Sequence, residues 1–213
     1  MAELIIKNLT VNYGPDCAVN SLTVPDKTFA AAVCDNASAF FRAVSGIEKF
    51  PRGEIILNGK NITHTETSKR NIALVFRDCA LYGSLTVYQN ISACLRRNGI
   101  DGAGARSKIM NAAKVFGFEA YTDAKPASLT AEQRLRAELG RISLLTPDLV
   151  LLNDPLKSIP AVRYDIMKDE ILKLFGLLET SFLYIIEDIK PAVTVKPGFA
   201  GLTSERINFI AAS

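Results

Sequence analysis

The chain has 213 residues, 48% of them apolar and 22% charged, which is the composition of an ordinary globular protein. That length is enough for one large or two small domains. A net charge of +3 with no Lys/Arg run argues against a nucleic-acid surface.

Residues 3–11 alternate enough for an edge strand, Tyr13-Gly14-Pro15-Asp16 make a turn, and residues 18–24 give a second strand. Residues 29–33 are a short apolar strand leading into Cys34-Asp35-Asn36-Ala37-Ser38, where Asn36 or Ser38 is placed to cap a helix that runs through Phe40 and Phe41 and stops at Gly46. A strand over residues 54–57 closes on Asn58-Gly59, a hairpin signal. Residues 71–76 form another buried strand. Thr86 caps a helix reaching Arg97, and a further helix spans residues 105–116 after a glycine-rich break. Over residues 129–145 a helix sets Ala131, Leu135, Leu139 and Ile142 on one face and charges on the other.

Residues 149–153 are an apolar run bounded by Pro147 and Pro155, the pattern of a parallel strand covered on both faces. It ends in Asn153-Asp154, where ligands meet open α/β sheets. A long helix over 161–178 and a strong strand over 181–186 follow. Past Pro191 the pattern weakens to two short candidate strands, 193–195 and 206–210. Strands with turns, then helices, then strand-helix-strand indicate an α/β core with an antiparallel flap and a helical insert. The four cysteines, Cys17, Cys34, Cys79 and Cys94, show no paired ligand spacing and read as incidental thiols, and His64 lies in a polar loop and reads as exposed. No apolar run spans a bilayer, and the opening residues lack a signal peptide's apolar stretch, so the expected compartment is the cytoplasm.

Several segments, in this order, resemble the ATP-binding cassette subunit of ABC transporters, closest to the sugar-importer type. Tyr13-Gly14 is similar to the aromatic turn that stacks on adenine. Residues 44–55 are similar to the stretch behind the phosphate loop. Residues 70–87 are similar to the Q-loop region. Leu129-Thr130-Ala131-Glu132-Gln133 stands where the signature Leu-Ser-Gly-Gly-Gln belongs, residues 149–156 are similar to Walker B, and Glu187 stands where the switch histidine belongs. The resemblance covers residues 3–190. It implies one P-loop NTPase-like α/β cassette over 1–213, with a mostly parallel core sheet and an antiparallel β flap in 1–79 and 147–213, and a helical subdomain over 80–146.

It also implies where the chemistry should sit, and there the residues differ. A phosphate loop needs glycines that let backbone N–H groups face the phosphates, and a lysine to neutralise them. Residues 30–39 hold neither glycine nor lysine, and the stretch is shorter than the family's by about three residues if Cys34 aligns with the first glycine. Ser38 remains as a hydroxyl for magnesium, while Asp35 adds a negative charge. Asn153 occupies the magnesium aspartate's position without a charge, and hard cations prefer carboxylates. Asp154 occupies the catalytic glutamate's position and is one methylene shorter. Arg77 replaces the Q-loop glutamine and is placed to pair with Asp154 or Asp35. Glu132, in place of a signature glycine, would face phosphate with like charge.

The resemblance thus implies a pseudo-ATPase. It carries a vestigial nucleotide pocket of Tyr13, Ser38, Arg77 and Gln133, needs no metal or cofactor, and serves as scaffold or regulator for a membrane permease or a second cassette. The permease would dock near Ala80, Leu81, Tyr82 and Leu85, placing the chain at the inner face of the cell membrane, as a homo- or heterodimer. Two alternatives stand beside it. One is an importer ATPase using ATP and magnesium through Ser38, Asp154 and Gln133. The other is a stand-alone module in which Arg77 reads an anion.

Overall fold

A computed structural model describes residues 3–11, 17–33, 37–50, 52–186 and 207–211. The chain divides into two compact units, residues 1–75, 147–154 and 179–213 in the first and residues 76–146 and 155–178 in the second.

The first unit holds two sheets. Strands β1 (Leu4–Val11), β2 (Cys17–Val24), β4 (Arg52–Leu57) and β5 (Lys60–Asn61) form an antiparallel sheet in the order β2-β1-β4-β5. Leu4, Ile6 and Leu9 of β1 are buried while Lys7 and Asn8 face out. That one-sided pattern reads as an edge strand. Instead β1 pairs with β2 on one side and β4 on the other, and β2 and β5 take the edges. One face is buried either way, so alternation cannot report how many neighbours a strand has. The register slips between Lys7 and Thr10, beside Asn8 at φ 47°. Gly53, at φ 120°, passes so close to Leu9 that a Cβ there would lie 2.6 Å from the Leu9 Cα.

The second sheet is wholly parallel. Strands β3 (Phe29–Val33), β6 (Ile72–Val75), β7 (Leu149–Asn153), β8 (Ser181–Ile186) and β9 (Ile207–Ala211) lie in the order β6-β7-β8-β3-β9. Every residue of β7 is buried, as its unbroken apolar run requires. Phe29 and Phe182 stack across β3 and β8 with ring centroids 5.7 Å apart. The weak pattern near the end of the sequence does form a strand, β9, whereas residues 193–195 lie outside the described residues. Helix α1 (Ala37–Ser45) packs against β7 and buries Ala37, Phe40, Phe41 and Val44.

The second unit is helical: α2 (Val87–Arg97), α3 (Gly102–Phe116), α4 (Ala131–Ile142) and α5 (Ala161–Leu178). Both α2 and α4 start with a reciprocal capping box. Thr86 with Gln89, and Thr130 with Gln133, exchange side-chain and backbone hydrogen bonds of 2.9 and 3.2 Å. Gly117 ends α3 at φ 68°. Phe116, Phe118, Ile109, Leu135 and Leu139 are fully buried. Gly140 of α4 is there for room, since a Cβ on it would overlap the Phe118 ring.

Candidate functional site

In the first unit the carboxyl ends of the parallel strands come level. Val33 of β3 pairs with Ile186, Ile185 pairs with Asn153, and Leu152 pairs with Val75. That row of strand ends is where an open α/β sheet presents a site. Strand β3 stops at Val33 and α1 starts at Ala37, so three residues, Cys34, Asp35 and Asn36, join them. Ser38 is the second residue of α1 and half-buried, so it sits in the first turn and does not cap the helix.

Asn153 ends β7 at 7% exposure, and its Oδ1 is buried with no hydrogen-bond partner among the described residues. Asp154 follows in the left-handed region at φ 39°, a backbone state that costs a non-glycine residue about 1 kcal/mol. Two bonds hold it there. Its N–H donates to the Ile185 carbonyl at 3.0 Å, and its carboxylate accepts from the Tyr184 hydroxyl at 2.9 Å. Tyr184 is 1% exposed, so a buried phenol on β8 fixes the carboxylate.

The other end of α1 is fixed by Arg70, at 4% exposure. Its guanidinium donates to the carbonyls of Thr65 at 2.8 Å, Ala43 at 3.1 Å, Val44 at 2.7 Å and Thr63 at 3.0 Å. A cation at a helix C-terminus satisfies orphan carbonyls and meets the negative end of the dipole. Nothing in the sequence singled out Arg70. The nearest signal was Gly46, whose missing side chain leaves the space the guanidinium fills.

In the second unit, Gln133 spends its amide oxygen on the Thr130 N–H in the capping box. Glu132 does not stand as a bare charge. It accepts from Arg136 Nε at 3.1 Å and from Arg163 Nε and Nη2 at 2.8 and 2.7 Å, and Arg136 continues to Glu170 at 2.8 Å. The hydrogen bonds from Arg163, then those from Arg136, hold the Glu132 carboxyl below the ordinary glutamate value. Arg77 lines an open cleft with Asp78, Cys79, Ala131, Arg134, Pro155 and Ser158. Nearby, Ala80 is exposed, Tyr82 is 61% exposed, and Leu81 and Leu85 are half-buried. His64 is exposed, and Cys79 and Cys94 are half-buried free thiols. Tyr13, Asp35 and Glu187 lie outside the described residues.

The fit of these residues to a magnesium–triphosphate divides. The unpartnered Asn153 oxygen is a group a cation takes, but it is neutral. The Asp154 carboxylate is already engaged by Tyr184. The glycines and lysine of the loop that cradles phosphates in P-loop proteins are absent from residues 30–39. The residues present do not make a phosphate cradle of that pattern.

A parallel sheet with level carboxyl ends, a helix entered directly from β3, an antiparallel sheet and a helical unit define an α/β nucleotide-binding-type cassette. Solved structures agree on the fold. A nucleotide-free ATP-binding cassette from an ABC transporter superposes with a TM-score of 0.71 at 17% identity, covering 88% of this chain and 82% of that one. CbiO1 from Clostridium perfringens, part of the ABC transporter complex cbiONQ, gives 0.71 at 19% identity, covering 87% and 78%. The ABC transporter family matches residues 37–157. The oligosaccharides import ATP-binding protein MsmX of Bacillus subtilis is 32% identical over 92% of this chain and 55% of its own length. The sn-glycerol-3-phosphate import ATP-binding protein UgpC of Vibrio cholerae is 35% identical over 74% of this chain and 42% of its own. The chain belongs to the ABC transporter family, as an ATP-binding cassette. It spans about half the length of these relatives.

Proposed function

We propose that this chain is the cassette subunit of a solute importer, carried at the inner face of a membrane by a permease that docks on the segment of Ala80, Leu81, Tyr82 and Leu85. The observation that carries this reading is alignment across most of the chain with proteins named as import ATP-binding proteins. The exposed Tyr82 in a segment without helix or strand adds to it, since an amphipathic partner helix takes such anchors. No helix among the described residues is long and apolar enough to cross a membrane, so a permease would supply the membrane path. The relatives are named as import ATP-binding proteins, so a subunit that binds ATP is the better supported form of this reading.

A specific observation favours a second form, in which the subunit docks and regulates without hydrolysing. Residues 30–39 lack the glycines and lysine of a phosphate cradle, and the Asp154 carboxylate is held by Tyr184. Calorimetry with ATP and ADP, with magnesium and up to millimolar nucleotide, separates the two. Micromolar affinity with turnover abolished by Asp154→Asn supports the ATPase. Absence of heat and turnover supports the non-hydrolysing subunit. A permease-reconstitution pull-down that retains neither form overturns the importer reading.

A further inference from the structure

The backbone between Phe76 and Thr86 has no helix or strand, yet polar side chains hold it at two points. One is Asn90 of α2, which has no exposed surface. Its Oδ1 accepts from the Tyr82 N–H at 2.7 Å, and its Nδ2 donates to the carbonyls of Tyr82, Leu85 and Thr86 at 3.2, 3.3 and 2.9 Å. The other is Arg141 of α4, which donates to the Ala80 carbonyl at 3.1 Å and also to Glu138. Glu138 is wholly buried, and its second carboxylate oxygen has no hydrogen-bond partner among the described residues.

A carboxylate in that position is expensive for a helix that needs only an apolar group there. Position 138 shares the α4 stripe of Leu135, Leu139 and Ile142, all buried, and an apolar residue of similar volume in place of a buried charge is often neutral or stabilising. What Glu138 does supply is direction. It turns the planar Arg141 guanidinium so that another N–H reaches Ala80. The neighbouring Cys79 sits in the left-handed region at φ 55°, and the Leu81 N–H closes a tight turn on its carbonyl at 2.9 Å. Burial, and then the charge of Glu138, push the Cys79 thiol up to about 12, while Arg134, Arg141 and Asp78 also act on it.

We propose that Glu138 and Arg141 form a latch that holds the turn at Cys79–Leu81 against α4, beside the Asn90 bonds that hold Tyr82, so that the half-buried Cys79 thiol gains no further exposure while the latch is closed. Opening it frees the turn at Cys79 and uncovers the thiol, while the cap of α2 stays in place through Thr86 and Gln89. The latch is a property of this unit alone and does not depend on whether a permease binds.

The test uses the full chain and two variants, Arg141→Lys and Glu138→Gln. The rate of Cys79 alkylation by iodoacetamide is read by peptide mass spectrometry, beside amide hydrogen exchange. Arg141→Lys keeps a cation for Glu138 but loses the fork that reaches Ala80. In both variants exchange at Leu81 rises about tenfold or more, and in Arg141→Lys Cys79 alkylation rises with it, while the Ile91 and Leu95 amides of α2 keep wild-type rates. The double variant is no faster than the faster single one. Rates within about twofold of wild type in both variants overturn the latch. So does equal acceleration across α2 and α4, which would make the pair a general support of the fold. Should Glu138→Gln fail to fold, Arg141→Lys decides alone by the same criteria.

Discussion

Replacing Arg70 by methionine tests the fixation of α1 most directly. The change keeps an unbranched chain of similar bulk and removes all four donors to Thr63, Thr65, Ala43 and Val44. Charge-assisted hydrogen bonds contribute about 1.5–3 kcal/mol each, so the gross loss is about 6–12 kcal/mol. The guanidinium is 4% exposed, and burial lowers its pKa, so the wild type also carries a desolvation penalty that the variant recovers. Set against a recovered cost of several kcal/mol per buried ion, the net destabilisation is about 3–5 kcal/mol. Urea unfolding followed by circular dichroism reads this as a lower midpoint at unchanged slope. Arg70→Lys recovers less than half of the loss, because a single ammonium cannot reach four carbonyls set around a planar fork. Gly46→Ala should act through the same contact, since its Cβ would overlap the guanidinium at a backbone φ of 78°. The double variant should then be less destabilised than the sum of the singles by about 1 kcal/mol or more. A cost below about 1 kcal/mol for Arg70→Met, or full rescue by lysine, would refute the reasoning.

Three further outcomes are expected. Gly140→Ala drives a methyl into the buried Phe118 ring and should cost about 1–3 kcal/mol, read as a lower thermal midpoint; an unchanged midpoint would mean the ring has room to move. Glu132 has a folded pKa below its unfolded value of about 4.3, so its contribution is present above that pH and disappears as pH falls through the folded value. Glu132→Gln should therefore flatten the acid limb of the stability curve and leave its slope at neutral pH alone. Tyr184→Phe removes the hydroxyl that holds the Asp154 carboxylate and should cost about 1.5–3 kcal/mol in chemical denaturation, with Asp154→Asn and the double variant no worse than additive.

The middle of the parallel core was legible because β3, β7 and β8 are buried on both faces and say so as apolar runs. Pro147 and Pro155 bracket β7 so closely that its bounds follow from the residues. The cap of α2 at Thr86 was legible too, whereas its Gln89 partner and the second box at Thr130 came with the structure. What stayed hidden depends on pairing across the chain. Sequence alternation shows which face of β1 is buried, and nothing about a neighbour on each side. Glu138 was counted among the charges of the polar face of α4. Its spacing from Leu135 and Ile142 already puts it on the buried stripe, so identity misled where period did not. Arg70 and Tyr184 act on carbonyls and a carboxylate contributed by other elements, and such partners leave no local spacing to read. At the candidate site itself, the role of Gln133 in a cap and the neutralisation of Glu132 came only with the structure.

The link between β3 and α1 is where the two forms of the proposed function part most sharply. Val33 lies in the sheet register and Ala37 is buried at 0% exposure, and the three residues between them lie outside the described residues. Exchanging letters there, even for glycine and lysine, changes composition without changing reach. Should calorimetry find no nucleotide bound, glycine and lysine would have to come with added length and with Asp35 replaced, since a carboxylate there would repel phosphate.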